Sequence, residues 1–180
     1  MKQLLFIVIT LIGQTLNAKP NSISIDETQW QNIENQIAIS SQQAYIKASN
    51  TGNNDLFGWS VAMDGNTLVI GAPKEQSNAT GINGNQINNS ASNSGVVYVF
   101  IKTGGVWSQQ AYIKASNTDS GDWFGTSTTL SNQTLVVGAP WEDSSATGIG
   151  GDENNNSLNS TGAAYVYHIT TETLFKNSFE

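Results

Sequence analysis

Gln43-Ala44-Tyr45-Ile46-Lys47-Ala48-Ser49-Asn50-Thr51 recurs, residue for residue, as Gln110-Ala111-Tyr112-Ile113-Lys114-Ala115-Ser116-Asn117-Thr118, 67 positions later. Continued without a gap, the same offset lays residues 43–100 on residues 110–167 with 32 of 58 positions identical, in polar stretches as well as apolar ones. A chain that repeats itself over this distance is built from copies of one supersecondary unit. Such units bury their apolar faces against each other, so the repeat constrains the fold more than any other feature.

Each copy carries short strand signals in a fixed order. Tyr45-Ile46-Lys47-Ala48 reads as a strand, as does 57–63, which ends at the tight-turn dipeptide Asp64-Gly65. Thr67-Leu68-Val69-Ile70-Gly71 returns as a third strand, stopped by Gly71-Ala72-Pro73 because proline cannot donate to a ladder. A long polar loop leads to Gly95–Ile101, the most apolar segment, and Thr103-Gly104-Gly105 turns the chain into Trp107 and the next Gln-Ala-Tyr-Ile. Ahead of the repeats, Trp30, Ile33 and Ile37 sit at near-helical spacing, so residues 28–41 read equally as a weak helix or a linker.

Four short strands per unit, joined mainly by hairpins, is the content of a propeller blade. The paired landmarks Phe57-Gly58 with Gly71-Ala72-Pro73, and Phe124-Gly125 with Gly138-Ala139-Pro140, resemble the signatures of FG-GAP repeats, the blade units of integrin-α-like β-propellers. The resemblance covers roughly residues 42–168. It implies an all-β fold of two four-stranded antiparallel blades, an incomplete ring, and a role in recognition or cell adhesion. The landmarks themselves are expected to serve architecture: glycine beside phenylalanine admits neighbouring backbone, and Gly-Ala-Pro makes a stiff bend. The chain divides into a signal peptide (1–18), an N-terminal segment (19–41), repeat 1 (42–107), repeat 2 (108–170) and a tail (171–180).

The first division rests on Lys2, the apolar run Leu4–Ile12 and a small residue, Ala18, at the expected cleavage point. That run is too short to span a bilayer, so it reads as a secretory signal, with no membrane span once it is removed. The expected location is extracellular, periplasmic or cell-surface associated. With no cysteine, an exported domain has no disulfides and rests on packing or bound ions. The net charge of −7 becomes −8 without Lys2, and there is no arginine. Nothing here can form a basic groove, which argues against nucleic acid as a partner.

Integrin-type repeats commonly carry an Asp-rich calcium loop between the Phe-Gly and Gly-Ala-Pro strands. The corresponding positions here, 63–67 and 130–134, are short turns with one carboxylate, Asp64, between them. Calcium is instead a candidate for the loop after the second Gly-Ala-Pro, where Glu142 and Asp143 precede Asp152, Asn154 and Asn156 with glycines at 150 and 151. The alternative is an Asn/Gly/Ser loop held by its own side-chain-to-backbone bonds. The first copy, with Lys74-Glu75 and Asn83–Asn88, is the poorer candidate.

Trp59, Trp107, Trp123 and Trp141 suit inter-blade packing, or a lectin surface in which indole faces stack on sugars. The sole histidine, His168, has no Ser/Asp arrangement around it, and the carboxylate pairs lie in loops, so no enzyme is expected. The expected function is a non-catalytic binding module for an extracellular protein or glycan, with a remnant of a propeller enzyme as the third reading. Finally, the second copy lacks its own Trp-x-x-Gln-Ala-Tyr strand, whereas an extra copy of that strand, residues 42–48, precedes the first. Propellers close with about four to eight blades, so a homo-oligomer could complete the ring; the alternative is a degenerate paralogue with exposed edges.

Overall fold

The structure is a computed structural model, and it describes residues 25–39 and 42–170. The expected signal peptide and the C-terminal tail lie outside the described residues. Two units separate, the N-terminal segment to Gln43 and the repeat region from Ala44 onward.

In the first unit, helix α1 spans Glu27–Ile39. Its start is a reciprocal cap: the Gln29 N–H donates to Asp26 Oδ1 at 2.8 Å while the Asp26 N–H donates to Gln29 Oε1 at 3.1 Å. Glu27 adds negative charge at the positive end of the helix dipole.

The repeat region is all-β: two antiparallel sheets that do not close into a barrel. Sheet one runs in order β1 (Ser60–Asp64), β2 (Thr67–Ala72), β3 (Val96–Thr103) and β4 (Val106–Ile113); sheet two runs β5 (Ser127–Ser131), β6 (Thr134–Ala139) and β7 (Ala163–His168). Tight turns set the registers. Asp64 pairs with Thr67, Thr103 with Val106 and Ser131 with Thr134. Both central residues have positive φ at Gly104-Gly105 and at Asn132-Gln133, the twist that matches a two-residue hairpin to its strands.

The sequence predicts a strand at Tyr45–Ala48, and this is not what forms: residues 42–48 belong to no sheet. The same residues in the second copy do form a strand, with Val97 opposite Ile113, Tyr98 opposite Tyr112 and Val99 opposite Ala111. Sequence is identical at the two places; only a neighbouring strand differs. Four strands make up the first sheet and three the second among the described residues, as the absence of a second Trp-x-x-Gln-Ala-Tyr strand implies. Because β4 runs through the division at 107/108, the repeat of the sequence and the blade of the structure are out of step.

One apolar cluster lies between the sheets, joining Val69, Val97, Val99 and Ile113 to Phe124, Leu130, Leu135 and Val137. A second lies on the opposite face of sheet one, where Ala48, Ile46 and Phe57 cover Ile70, Tyr98, Phe100 and Tyr112. Backbone contact between blades is close. A Cβ on Gly71 would fall on the Gly125 carbonyl and the Ser60 hydroxyl, and that hydroxyl donates to the same carbonyl at 2.8 Å.

Candidate binding surface

The landmark residues occupy architectural positions. Phe57 packs edge-on against Tyr98 and Phe100 of its own blade, as Phe124 does against Tyr165 and Tyr167. The N–H groups of Gly58 and Gly125 both donate, at 3.1 Å, to the carbonyls of Gly71 and Gly138. Ala72 and Ala139 are buried, and Pro73 and Pro140 follow as β2 and β6 end.

Beyond the prolines lies a buried polar seam that the sequence reading did not find. Glu75 and Lys114 are almost wholly buried and form an ion pair at 3.1 Å. Glu75 also accepts from Asn50 Nδ2 at 3.0 Å and from the Ser77 N–H at 3.1 Å. Lys114 donates to Ser94 Oγ at 2.7 Å, and the Tyr112 and Ser77 hydroxyls bond to each other. Tyr98 completes the set by donating to Asn50 Oδ1 at 2.6 Å. Burial pulls the Lys114 ammonium below its ordinary range and Glu75 pushes it back up. Burial likewise raises Asp55. The seam's visible signal was duplication itself, since Glu75 and Lys114 recur as Glu142 and Lys47.

The second blade repeats half of this arrangement. Asn117 Nδ2 donates to Glu142 Oε1 at 3.0 Å, and Tyr165 donates to Asn117 Oδ1 at 2.7 Å. Among the described residues no lysine reaches Glu142. Asp122, beside it, is pushed up to about 6 by burial and by the charges of Asp119, Glu142 and Asp143.

The candidate calcium residues are not gathered into one ligand set. Glu142 turns beneath the loop to Asn117, which also donates to the Glu153 carbonyl at 2.7 Å. Asp143 Oδ1 accepts from the Ser160 N–H at 2.7 Å, and Asp152 Oδ1 accepts from the Asn154 N–H at 3.1 Å. Asn156 donates to Asp119 Oδ2 at 2.7 Å. Among the described residues no three acidic or histidine side chains converge. As placed, these groups bond within their own loop and its neighbours. His168 is exposed at the end of β7.

The open feature of this blade is a cleft of about 430 Å³ lined by Ser120, Gly121, Trp123, Trp141, Asp143, Asn159 and Ser160. Trp123 and Trp141 meet edge-to-face with centroids 6.3 Å apart, and Lys74 Nζ sits 4.9 Å above the Trp123 ring. Trp123 holds a φ of 58°, fixed by its N–H on the Asn93 carbonyl and by Thr126, whose N–H and hydroxyl both donate to the Trp123 carbonyl. In the first copy the two tryptophans are replaced by Leu56 and Lys74, so the pair belongs to the second blade alone. Of the remaining tryptophans, Trp107 packs against the outer cluster of sheet one and Trp59 is exposed.

Two adjacent antiparallel sheets, joined through a shared core and a backbone seam, define a protein of propeller-type blades in an incomplete ring. The FG-GAP repeat family model matches residues 40–100 and 107–167, well over half of the chain, and the protein belongs to that family. Comparison with curated proteins returned no match.

Proposed function

We propose that this protein is a secreted or envelope-associated, non-catalytic binding module that recognises an extracellular protein through the Trp123–Trp141 cleft. The supporting observation is local divergence. The two copies share most of their architecture, yet the second places paired indoles where the first has Leu56 and Lys74. Tryptophan is enriched at the energetic centres of protein interfaces, where a large rigid ring costs little entropy to bury. Asp143, Asn159 and Ser160 line the same cleft and supply polar groups that orient a partner. Export is supported by the leader-like residues 1–18 and by the family, whose members are typically extracellular. No described helix is long and apolar enough to cross a membrane.

A carbohydrate ligand is the second reading, favoured by the same pairing of exposed indole with hydrogen-bonding side chains. One experiment addresses both. Labelled full-length protein is applied to a glycan array and to a panel of extracellular-matrix proteins, beside the Trp141→Ala and Asp143→Asn variants. We expect binding to at least one surface, weakened about tenfold or more by Trp141→Ala, the loss typical of an aromatic anchor. Binding that survives both substitutions unchanged would remove the cleft from the proposal.

A further inference from the structure

Asp122 is 3% exposed, and it joins the parts that frame the Trp123–Trp141 cleft. Its Oδ2 accepts from the Asp119 N–H at 3.0 Å, closing the turn that carries Ser120 and Gly121 into the cleft lining. Its carbonyl accepts from the Trp141 N–H at 3.4 Å, and Trp123 is the next residue in the chain. The first blade has the same joint. Asp55, 67 positions earlier, is 7% exposed; its Oδ2 accepts from the Gly52 N–H at 2.7 Å and its carbonyl from the Lys74 N–H at 3.3 Å. What differs is charge. Gly52 is replaced by Asp119, Lys74 by Trp141 and Gln76 by Asp143, and each replacement makes the surroundings more negative by one unit. Trp141 and Asp143 also line the cleft, so the changes that build it are the changes that crowd Asp122 with negative charge.

The charged and titratable groups facing Asp122 come from four segments. Asp119 belongs to its own turn, Glu142 and Asp143 follow β6, Tyr165 lies on β7 and Lys114 follows β4. Burial keeps the Tyr165 hydroxyl neutral, and the Lys114 ammonium is committed to Glu75 at 3.1 Å. Lys74 sits over the Trp123 ring. A carboxyl held out of water among like charges favours its neutral form, and Asp122 is accordingly pushed up to about 6.

We propose that Asp122 is a proton-operated latch on the cleft: protonated, it holds the 119–121 turn against the two indoles; ionised, it is repelled by Asp119, Glu142 and Asp143 and the turn opens. Protonation costs the turn no bond, because the carbonyl oxygen of the neutral carboxyl still accepts from the Asp119 N–H. Asp122 binds its proton more tightly in the closed form than in the open one. The advantage of the closed form is therefore full below the ordinary carboxylate range and is lost as pH rises to about 6. The latch's purpose rests on the reading of this cleft as a binding surface, whereas its existence is a property of the free protein.

Hydrogen exchange on the full, ligand-free protein at about pH 4 and about pH 7, either side of that transition, tests the latch. After correction for the intrinsic pH dependence of exchange, protection of the Asp119 and Trp141 amides should fall by about tenfold or more at the higher pH. The Gly52 and Lys74 amides, bonded to Asp55 beside Lys114 and Lys47, should change less. Asp122→Asn keeps an acceptor for the Asp119 N–H and carries no charge, so it should hold protection at its acid value throughout. Asp119→Asn removes one facing charge and should move the midpoint to lower pH. Protection that does not depend on pH, or a dependence that survives Asp122→Asn, overturns the proposal; so does an equal change at Gly52 and Lys74. No partner enters this experiment, so its failure leaves the cleft's role in recognition standing, and loss of that role leaves the latch standing.

Discussion

Lys114 and Glu75 form the ion pair of the buried polar seam beside sheet one, and replacing Lys114 by methionine isolates what they do. The pair lies 3.1 Å apart with both groups almost wholly buried. At an effective dielectric of about 20 their attraction is worth about 5 kcal/mol. Methionine keeps most of the stem volume but removes the charge and the bond to Ser94 Oγ. Glu75 would then retain only Asn50 and the Ser77 N–H. With those two donors in place, the expected loss is about 3–4 kcal/mol, within the range for breaking a buried pair from one side. For a domain this size that lowers the melting temperature by about 10 °C. Urea unfolding at fixed protein concentration, read by tryptophan fluorescence, gives the free energy directly. The reasoning carries a second consequence: Lys114→Met combined with Glu75→Leu should recover most of the loss, since neither charge then remains buried. A single-variant loss below about 1 kcal/mol, or a double variant no better than the single, would refute the account.

Asp122, held near 6 by burial and neighbouring carboxylates, binds a proton more tightly folded than unfolded. Stability should therefore fall as pH rises from about 4 to about 6, by about 1–2 kcal/mol after allowance for solvent screening; Asp122→Asn should flatten that slope in thermal melts, and an unchanged slope would exclude Asp122 as its source. Gly71→Ala places a methyl group on the Gly125 carbonyl, so we expect about 2–3 kcal/mol of destabilisation by overpacking. Gly65→Ala, with open space around it but a φ of 56°, should cost only about 1 kcal/mol; equal losses would contradict the inter-blade contact. Calorimetry should show no calcium binding to the 150–156 loop, and a heat abolished by Asp152→Ala would restore that loop as a calcium site.

The hairpins were legible because their determinants are local. Asp64-Gly65 and Gly104-Gly105 announce turns, and the apolar run at 96–101 can only be a buried strand or a buried helix too short to stand. The fate of Tyr45–Ala48 was not legible from its own residues, because the nine residues Gln43–Thr51 are also those of Gln110–Thr118 and only the preceding β3 hairpin separates the two outcomes. Similarly, the alternation of Asp152, Asn154 and Asn156 has the composition of a cation loop. The same side chains are equally able to cap their own backbone, and composition does not choose between them. Glu75 and Lys114, 39 residues apart in different repeats, meet only when β4 has joined sheet one. The start of α1 could have been found: Asp26 and Gln29 carry the spacing of a reciprocal cap, although the apolar spacing further along was weak.

The passage of β4 across the repeat boundary bears on synthesis. Chains fold from the N-terminus as they are made, yet sheet one lacks its fourth strand until Ile113 has been added. The seam waits one residue longer, for Lys114. Repeat one alone, cut at residue 107, is therefore a blade with an open edge, exposed to mispairing with other nascent chains. The first repeat is finished by residues translated after it.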